Sequence, residues 1–232
     1  MALYPDEKPA MQVSLTAIEP DLFLGNQNAS WWLPVLKANG ITAVVSLGNA
    51  RLLLWTSQNY RKVIAEESHL FVPCLDSDTQ DLLVHMEDIC DFIDGQLTAT
   101  ESTAIPPPAA DGGRAIPQTT THNTIAYHPP KVLIHCGLGI SRSPTVVIAY
   151  LMRKRRRSVD EVLQFVKEKR KIKPNANFMD QLRVWEQTRY QIWEDDERTV
   201  PKPAYQAYLN RRAVRLTERG LTGNEPTGPV SL

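Results

Sequence analysis

Apolar residues along this chain fall into two alternating arrangements. Short apolar stretches occupy 41–47, which is rich in β-branched residues, 70–75 and 131–135. They have the length of strands, and the 41–47 run reads as a buried one. Longer stretches repeat apolar residues three and four apart, the helical period. Leu82, Leu83, Met86, Ile89, Cys90 and Ile93 predict a helix over 81–97. Trp31, Trp32, Leu33 and Leu36 predict a shorter one over 29–39, ended by Gly40. Further helices are predicted over 60–67, 143–155, 159–169 and 177–194, and one or two short strands over 12–25. Ser158, with Glu161 three residues on, is a capping-box start for the 159–169 helix. Strands alternating with helices imply an α/β fold: a mostly parallel central sheet flanked by helices. In such a sheet a ligand sits beyond the carboxyl ends of the strands.

The pattern lapses in three places. Residues 1–11 read as a flexible N-terminus. Residues 98–130 are rich in Thr, Pro and Ala, with Pro106-Pro107-Pro108 and Gly112-Gly113, and bury too little apolar surface to offset their ordering entropy. They read as a disordered insertion within a domain spanning 12–195, either a lid or an inert or regulatory segment. Residues 196–232 form a basic tail with Arg211-Arg212, Arg215 and Arg219. A marginal helix over 204–219 is expected there, either packed on the domain or bound to a partner, with a solvated tail as the main expectation.

Composition narrows the function classes. The 232 residues are 42% hydrophobic and carry 26 basic against 26 acidic side chains, so no overall charge argues for nucleic acid. No N-terminal run of signal-peptide length is present, and no apolar stretch reaches the about 18 residues of a membrane span. Three cysteines, odd in number and widely spaced, make neither a disulfide framework nor a zinc-ligand set. No metal and no cofactor is expected, and a reducing compartment, cytoplasmic and/or nuclear, suits the free thiols. The oligomeric state is not legible. Arg153-Lys154-Arg155-Arg156-Arg157 reads as solvated cations favoured by a helix C-terminus, or as a nuclear-localisation signal or a contact for an acidic surface. Leu52-Leu53-Leu54-Trp55 either borders a site or caps the core, and Trp31 and Trp32 read as packing residues.

The chemistry lies in His135-Cys136-Gly137-Leu138-Gly139-Ile140-Ser141-Arg142-Ser143. A strand precedes this run and an apolar helix follows it, with Pro144 in the first turn, where a missing N–H is harmless. Such a loop turns several backbone N–H groups into one bowl suited to a tetrahedral dianion. Gly137, Leu138, Gly139, Ile140, Ser141 and Arg142 would line it, with Cys136 at its floor. A cysteine at a helix N-terminus has its pKa lowered from about 8.5 to roughly 3.5–7.5, which makes it a nucleophile at neutral pH. Arg142 can grip two phosphate oxygens with its planar fork. Ser143 can donate its hydroxyl to the sulfur when the thiolate leaves. His135 precedes the nucleophile at a strand end, so its side chain would point away from the bowl and fix the loop by hydrogen bonds.

These residues resemble the dual-specificity branch of the cysteine-dependent protein phosphatases. The likeness extends over Leu24-Gly25-Asn26, Ala29-Ser30, Gly40-Ile41-Thr42, Ala149-Tyr150-Leu151-Met152, Pro174-Asn175, Phe178 and Gln181-Leu182. It implies hydrolysis of phosphotyrosine and phosphoserine or phosphothreonine in a protein substrate. It also implies a carboxylic acid that protonates the leaving oxygen. In the family that acid lies six residues before the first apolar residue of the next helix. Counting back from Leu82 gives Asp76, with Asp78 as the alternative. Asp81 reads as a helix cap or first-turn carboxylate. Asn175 either supports the phosphate loop or simply starts a helix. Cys74 and Cys90 read as core residues, although Cys74 stands two positions before Asp76, so a reversible disulfide with Cys136 is a further reading. Family members acting on inositol lipids or RNA 5′ ends carry charge inside the loop. Here Gly137, Leu138, Ile140 and Ser141 are uncharged. A phospho-binding adaptor would lack the nucleophile, which this chain keeps.

Overall fold

Three apolar strands lie side by side in parallel because each is sealed on both faces. They are β2 (Leu22–Asn26), β3 (Ala43–Gly48) and β5 (Val132–Cys136), with β5 between the other two. β4 (His69–Pro73) continues the sheet parallel to β3, and the short β1 (Leu15–Ala17) closes the far edge antiparallel to β2. The order is β1-β2-β5-β3-β4. The computed structural model describes residues 12–98 and 129–223. The readings of a flexible N-terminus and a disordered insertion fall outside the described residues.

Strand parity sorts the side chains onto two cores. Leu22, Leu24, Val45, Leu47, Val132 and Ile134 face one side. There they meet the helices α4 (Met86–Thr98), α5 (Arg142–Arg155), α6 (Val159–Lys169) and α7 (Ala176–Gln187). Phe23, Val44 and Leu133 face the other side, against Ala29, Leu36, Trp55, Tyr60 and Ile64. That smaller layer carries α1 (Gln27–Trp31), α2 (Leu33–Asn39) and α3 (Gln58–Arg61).

Several boundaries differ from the periodicity reading, each for a local reason. The single helix over 29–39 is two, because Trp32 is extended and Pro34 cannot donate to the carbonyl four residues back. The helix over 60–67 reduces to α3, capped by Ser57, and a 3₁₀ turn at Glu66–Ser68; Ala65 between them is extended. The 81–97 helix becomes regular only at Met86, after a 3₁₀ turn at Leu83–His85. The Gln181 amide oxygen accepts from the N–H groups of Leu82 and Leu83, at 2.7 and 3.1 Å, and holds that turn. α7 stops at Gln187 rather than 194, since Arg189 and Tyr190 have positive φ.

The largest correction concerns the C-terminal region. Its helix α8 (Pro203–Glu218) packs on the domain rather than lying in solvent. Tyr205 and Tyr208 are buried in the larger core, stacked on one another at 6.2 Å, and Trp193 meets Tyr205 edge-on. Two tyrosines three positions apart make a narrow apolar stripe that the arginines following them mask in the composition. The basic run does lie at the C-terminus of α5 with Lys154 to Arg157 exposed, and its cations also form surface pairs. Arg153 bridges Asp91 and Asp94, Lys154 and Arg155 both reach Glu19, and Arg157 pairs with Glu161. Arg156 lies over the Tyr190 ring.

Candidate active site

β5 ends at Cys136 and α5 begins at Arg142, so the intervening residues form a tight loop at the carboxyl edge of the sheet. Three of its carbonyls are taken by donors outside the loop. The Gly137 oxygen accepts from the Gln27 N–H at 3.1 Å, the Ile140 oxygen from the Lys173 N–H at 2.8 Å, and the Gly139 oxygen from Arg170 Nε at 3.1 Å. In a trans peptide the N–H points opposite to the C=O. Tying these carbonyls outward therefore turns the N–H groups of Leu138, Ile140 and Ser141 inward, over the sulfur.

Cys136 is buried, and Ser143 Oγ donates to its Sγ at 3.2 Å. Burial alone pushes the thiol pKa up. Hydrogen bonds from the Ser143 side chain and backbone, the Arg142 charge and the Gly139 N–H outweigh that and hold it below the ordinary value. Cys74 shares only Arg142 and Cys90 lacks such hydrogen bonds, and burial pushes both up to about 12. All three thiols are free.

Arg142 is positioned by its Nη1, which donates to the Cys74 carbonyl at 3.2 Å and the Leu47 carbonyl at 3.5 Å. Its Nε is buried without a hydrogen-bond partner among the described residues and lies 3.8 Å from Asp76 Oδ2. Asp76 Oδ1 accepts from Ser141 Oγ at 2.8 Å and from Asn175 Nδ2 at 2.9 Å. Asp76 therefore stands across the mouth of the loop, about a third exposed, touching two of its supports. Asp78 instead pairs with Arg219 on the surface, and Asp81 is buried, accepting from the Leu83 N–H and the Tyr205 hydroxyl. Asn175 combines its two readings. Its side chain caps α7 by accepting from Phe178 N–H, while its own N–H reaches Ser141 Oγ at 3.3 Å.

Parity sends His135 to the face opposite Cys136. Its Nε2 lies 2.6 Å from Ser46 Oγ, which also lies 2.8 Å from His69 Nε2. Burial lowers His135 to about 3 and His69 to about 4, so both rings are neutral at pH 7. Trp55 lies edge-on to both imidazoles and caps this network, whereas Leu53 of the same patch is exposed. Sequence reasoning missed Ser46, His69 and Arg170. Arg170, which also donates to Thr16 Oγ1 at 3.1 Å, stands between two lysines and resembles any solvated helix-end cation.

A family model described as the dual specificity phosphatase catalytic domain matches residues 121–188. Human dual specificity protein phosphatase 16 is 32% identical over 223 residues, covering 95% of this chain and 28% of its own. The tyrosine-protein phosphatase yvh1 of Schizosaccharomyces pombe is 33% identical over 130 residues, covering 56% of this chain and 31% of its own. The crystal structure of human DUSP28 superposes with a TM-score of 0.56 at 26% identity, over 78% of this chain and 98% of that one. The chain is thus similar to the dual-specificity phosphatases in sequence around Cys136 and in fold. It spans about 30% of the length of the curated relatives it matches first.

Two features of this loop are open to direct test. Gly139 has φ +70°, and a Cβ there would lie 2.5 Å from the Gly25 carbonyl oxygen and 2.6 Å from the Arg170 guanidinium. Gly139→Ala will lose about 1–3 kcal/mol from backbone strain alone. The clash will also open the loop. Urea denaturation and vanadate titration will show a lower midpoint and weaker oxyanion binding. Ser143→Ala removes one hydrogen bond to sulfur, so the Cys136 pKa will rise toward its ordinary value. Alkylation by iodoacetate requires thiolate, so its rate profile will move to higher pH and the rate at pH 6 will fall. An unmoved profile would show that this hydroxyl does not hold the thiolate.

Among the described residues, no group of three or more His, Cys, Asp or Glu side chains is disposed to hold a metal ion, and no helix is long and apolar enough to cross a membrane.

Proposed function

We propose that this protein hydrolyses phosphotyrosine and phosphoserine or phosphothreonine in protein substrates through a cysteinyl-phosphate intermediate. The carrying observation is the buried, unpartnered Nε of Arg142, placed in one mouth with the Cys136 sulfur and the Asp76 carboxyl. Cys136 thiolate attacks phosphorus, and the P–O bond to the leaving group breaks. Asp76 gives that oxygen its proton. In the second step Asp76 takes a proton from water, the oxygen of that water attacks phosphorus, and the P–S bond breaks. Ser143 stabilises the departing thiolate by donating to it. Arg142 and the inward N–H groups hold the equatorial oxygens throughout. Asn175 and Ser141 aim Asp76, and His135 holds the loop from behind through Ser46.

The substrate class follows from the rim. Leu138 is 70% exposed and Ile140 is 39% exposed, and the loop's variable positions carry no charge. Such a rim suits a side-chain phosphate on a polypeptide better than a polyanionic inositol or RNA end. A reducing compartment, cytoplasm or nucleus, belongs to the same proposal, because the thiol must stay reduced.

The purified protein will hydrolyse an aryl phosphate without added metal, resist chelators and be blocked by vanadate. A panel of phosphopeptides and inositol phosphates, compared by kcat/KM, reads the substrate class. Preference for an inositol phosphate would overturn the protein-substrate assignment, and the absence of turnover under reducing conditions would overturn the hydrolase itself.

A further inference from the structure

The stretch that carries Asp76 has no regular structure of its own, and residues 74–82 lie outside every helix and strand. Its backbone is held by side chains from two helices. From α7, Gln181 Nε2 donates to the Gln80 carbonyl at 2.7 Å, and Asn177 Nδ2 donates to the same oxygen at 2.8 Å and to the Ser77 oxygen at 3.3 Å. From α8, Arg212 Nε donates to the Thr79 carbonyl at 2.6 Å, Tyr208 donates to the Gln80 carbonyl at 3.3 Å, and Tyr205 donates to Asp81 Oδ2 at 2.8 Å. Arg219, just past the end of α8, pairs with Asp78. Residues 78, 79, 80 and 81 are thus each gripped by this C-terminal segment.

The grip also supports the α7 side. Arg215 donates to Asn177 Oδ1 at 3.2 Å, and Tyr208 lies 3.3 Å from the same atom. Asn177 is thereby oriented with its amide nitrogen toward Ser77 and Gln80. The anchor is the buried end. Asp81, Tyr205 and Tyr208 are all buried, and a carboxylate there requires its donors. The Asp78–Arg219 pair is exposed and contributes little by comparison.

We infer that α8 is a strap that fixes the loop bearing Asp76, with Arg212 and Tyr205 as positioning residues for proton transfer to the leaving group. The inference rests on the assignment of Asp76 as the acid. Loosening the strap leaves the nucleophile, Arg142 and the phosphate loop in place but lets Asp76 wander. A misplacement of about 1 Å can cost roughly a hundredfold.

The test uses the full chain with Tyr205→Phe, Arg212→Met and the double variant, beside Asp76→Asn and a control, Arg211→Ala, whose partner is Asp180 on α7. Two aryl phosphates are compared, one with a phenol leaving group that needs protonation and one with a dinitrophenol that does not. For the phenol ester kcat will fall roughly tenfold in the single variants and roughly a hundredfold in the double one. For the dinitrophenol ester kcat will stay within about twofold, as will KM and vanadate inhibition, because the phosphate loop is untouched. Arg212→Lys keeps a donor for the Thr79 carbonyl and will recover part of the loss. Equal losses on both esters, or no loss on either, overturn the strap. If Asp76→Asn is selective and the α8 variants are not, only this inference fails. A flat Asp76→Asn removes the acid assignment and the strap together.

Discussion

Cys136→Ser will reduce turnover by at least about 10⁴-fold, or about 5.4 kcal/mol at about 1.36 kcal/mol per tenfold change. Phosphate and vanadate will still bind. The loop can ionise a thiol because its hydrogen bonds and the Arg142 charge overcome the burial that opposes ionisation. A serine hydroxyl starts far less acidic, and the same donors leave it neutral and weakly nucleophilic. The oxyanion donors do not involve the sulfur. The Gly137, Gly139 and Ile140 carbonyls stay tied outward, so the inward N–H groups remain, as does Arg142. Single-turnover kinetics with an aryl phosphate and calorimetric titration with vanadate separate the two effects. Turnover above about one per cent of wild type would place the nucleophile elsewhere. Loss of binding with the fold intact would mean that the sulfur itself organises the bowl.

Asp76→Asn will lower kcat by roughly 10²–10⁴-fold on esters of poor leaving groups, the range of general acid catalysis, and far less on activated esters. Asparagine is close to isosteric, and its carbonyl oxygen still accepts from Ser141 and Asn175, so the loop geometry survives while the transferable proton is lost. Asp78→Asn removes a surface pair with Arg219, an interaction worth about 0–1 kcal/mol, and will leave kcat within about threefold. Steady-state rates across a series of phenols of graded acidity read the difference as a slope. A steep loss for Asp78→Asn with a flat Asp76→Asn would exchange their roles.

The central strands β3 and β5 were legible because burial on both faces forces continuous apolar runs, whereas β2 was visible only as part of a short-strand region. The loop was legible for a related reason. Two glycines, a proline in the first helical turn and a small residue beside the cysteine are requirements of backbone geometry, which acts over a few positions. Helix ends were less visible. The split at Trp32 and the delayed start at Met86 depend on a proline's lost donor and on Gln181, the latter almost a hundred residues away. The packing of α8 was hidden because its two inward tyrosines are followed by Arg211, Arg212 and Arg215, and a helix of marginal propensity is decided by the surface it finds.

The amino-acid order alone thus determined the mostly parallel character of the sheet, the strand–loop–helix around Cys136 and the separation of His135 from it, since each follows from periodicity and chirality over short spans. Only the folded chain decided which carboxylate meets the residues of the loop, Ser141 and Arg142. Asp76 and Asp78 differ little in local sequence. Asp76 meets Asn175, 99 positions away, whereas Asp78 meets Arg219, 141 positions away. Ser46, His69 and Arg170 likewise gain their roles from contacts across the sheet. Hydrogen bonds between distant residues leave no period in the chain, so they exist as information only once the core has closed.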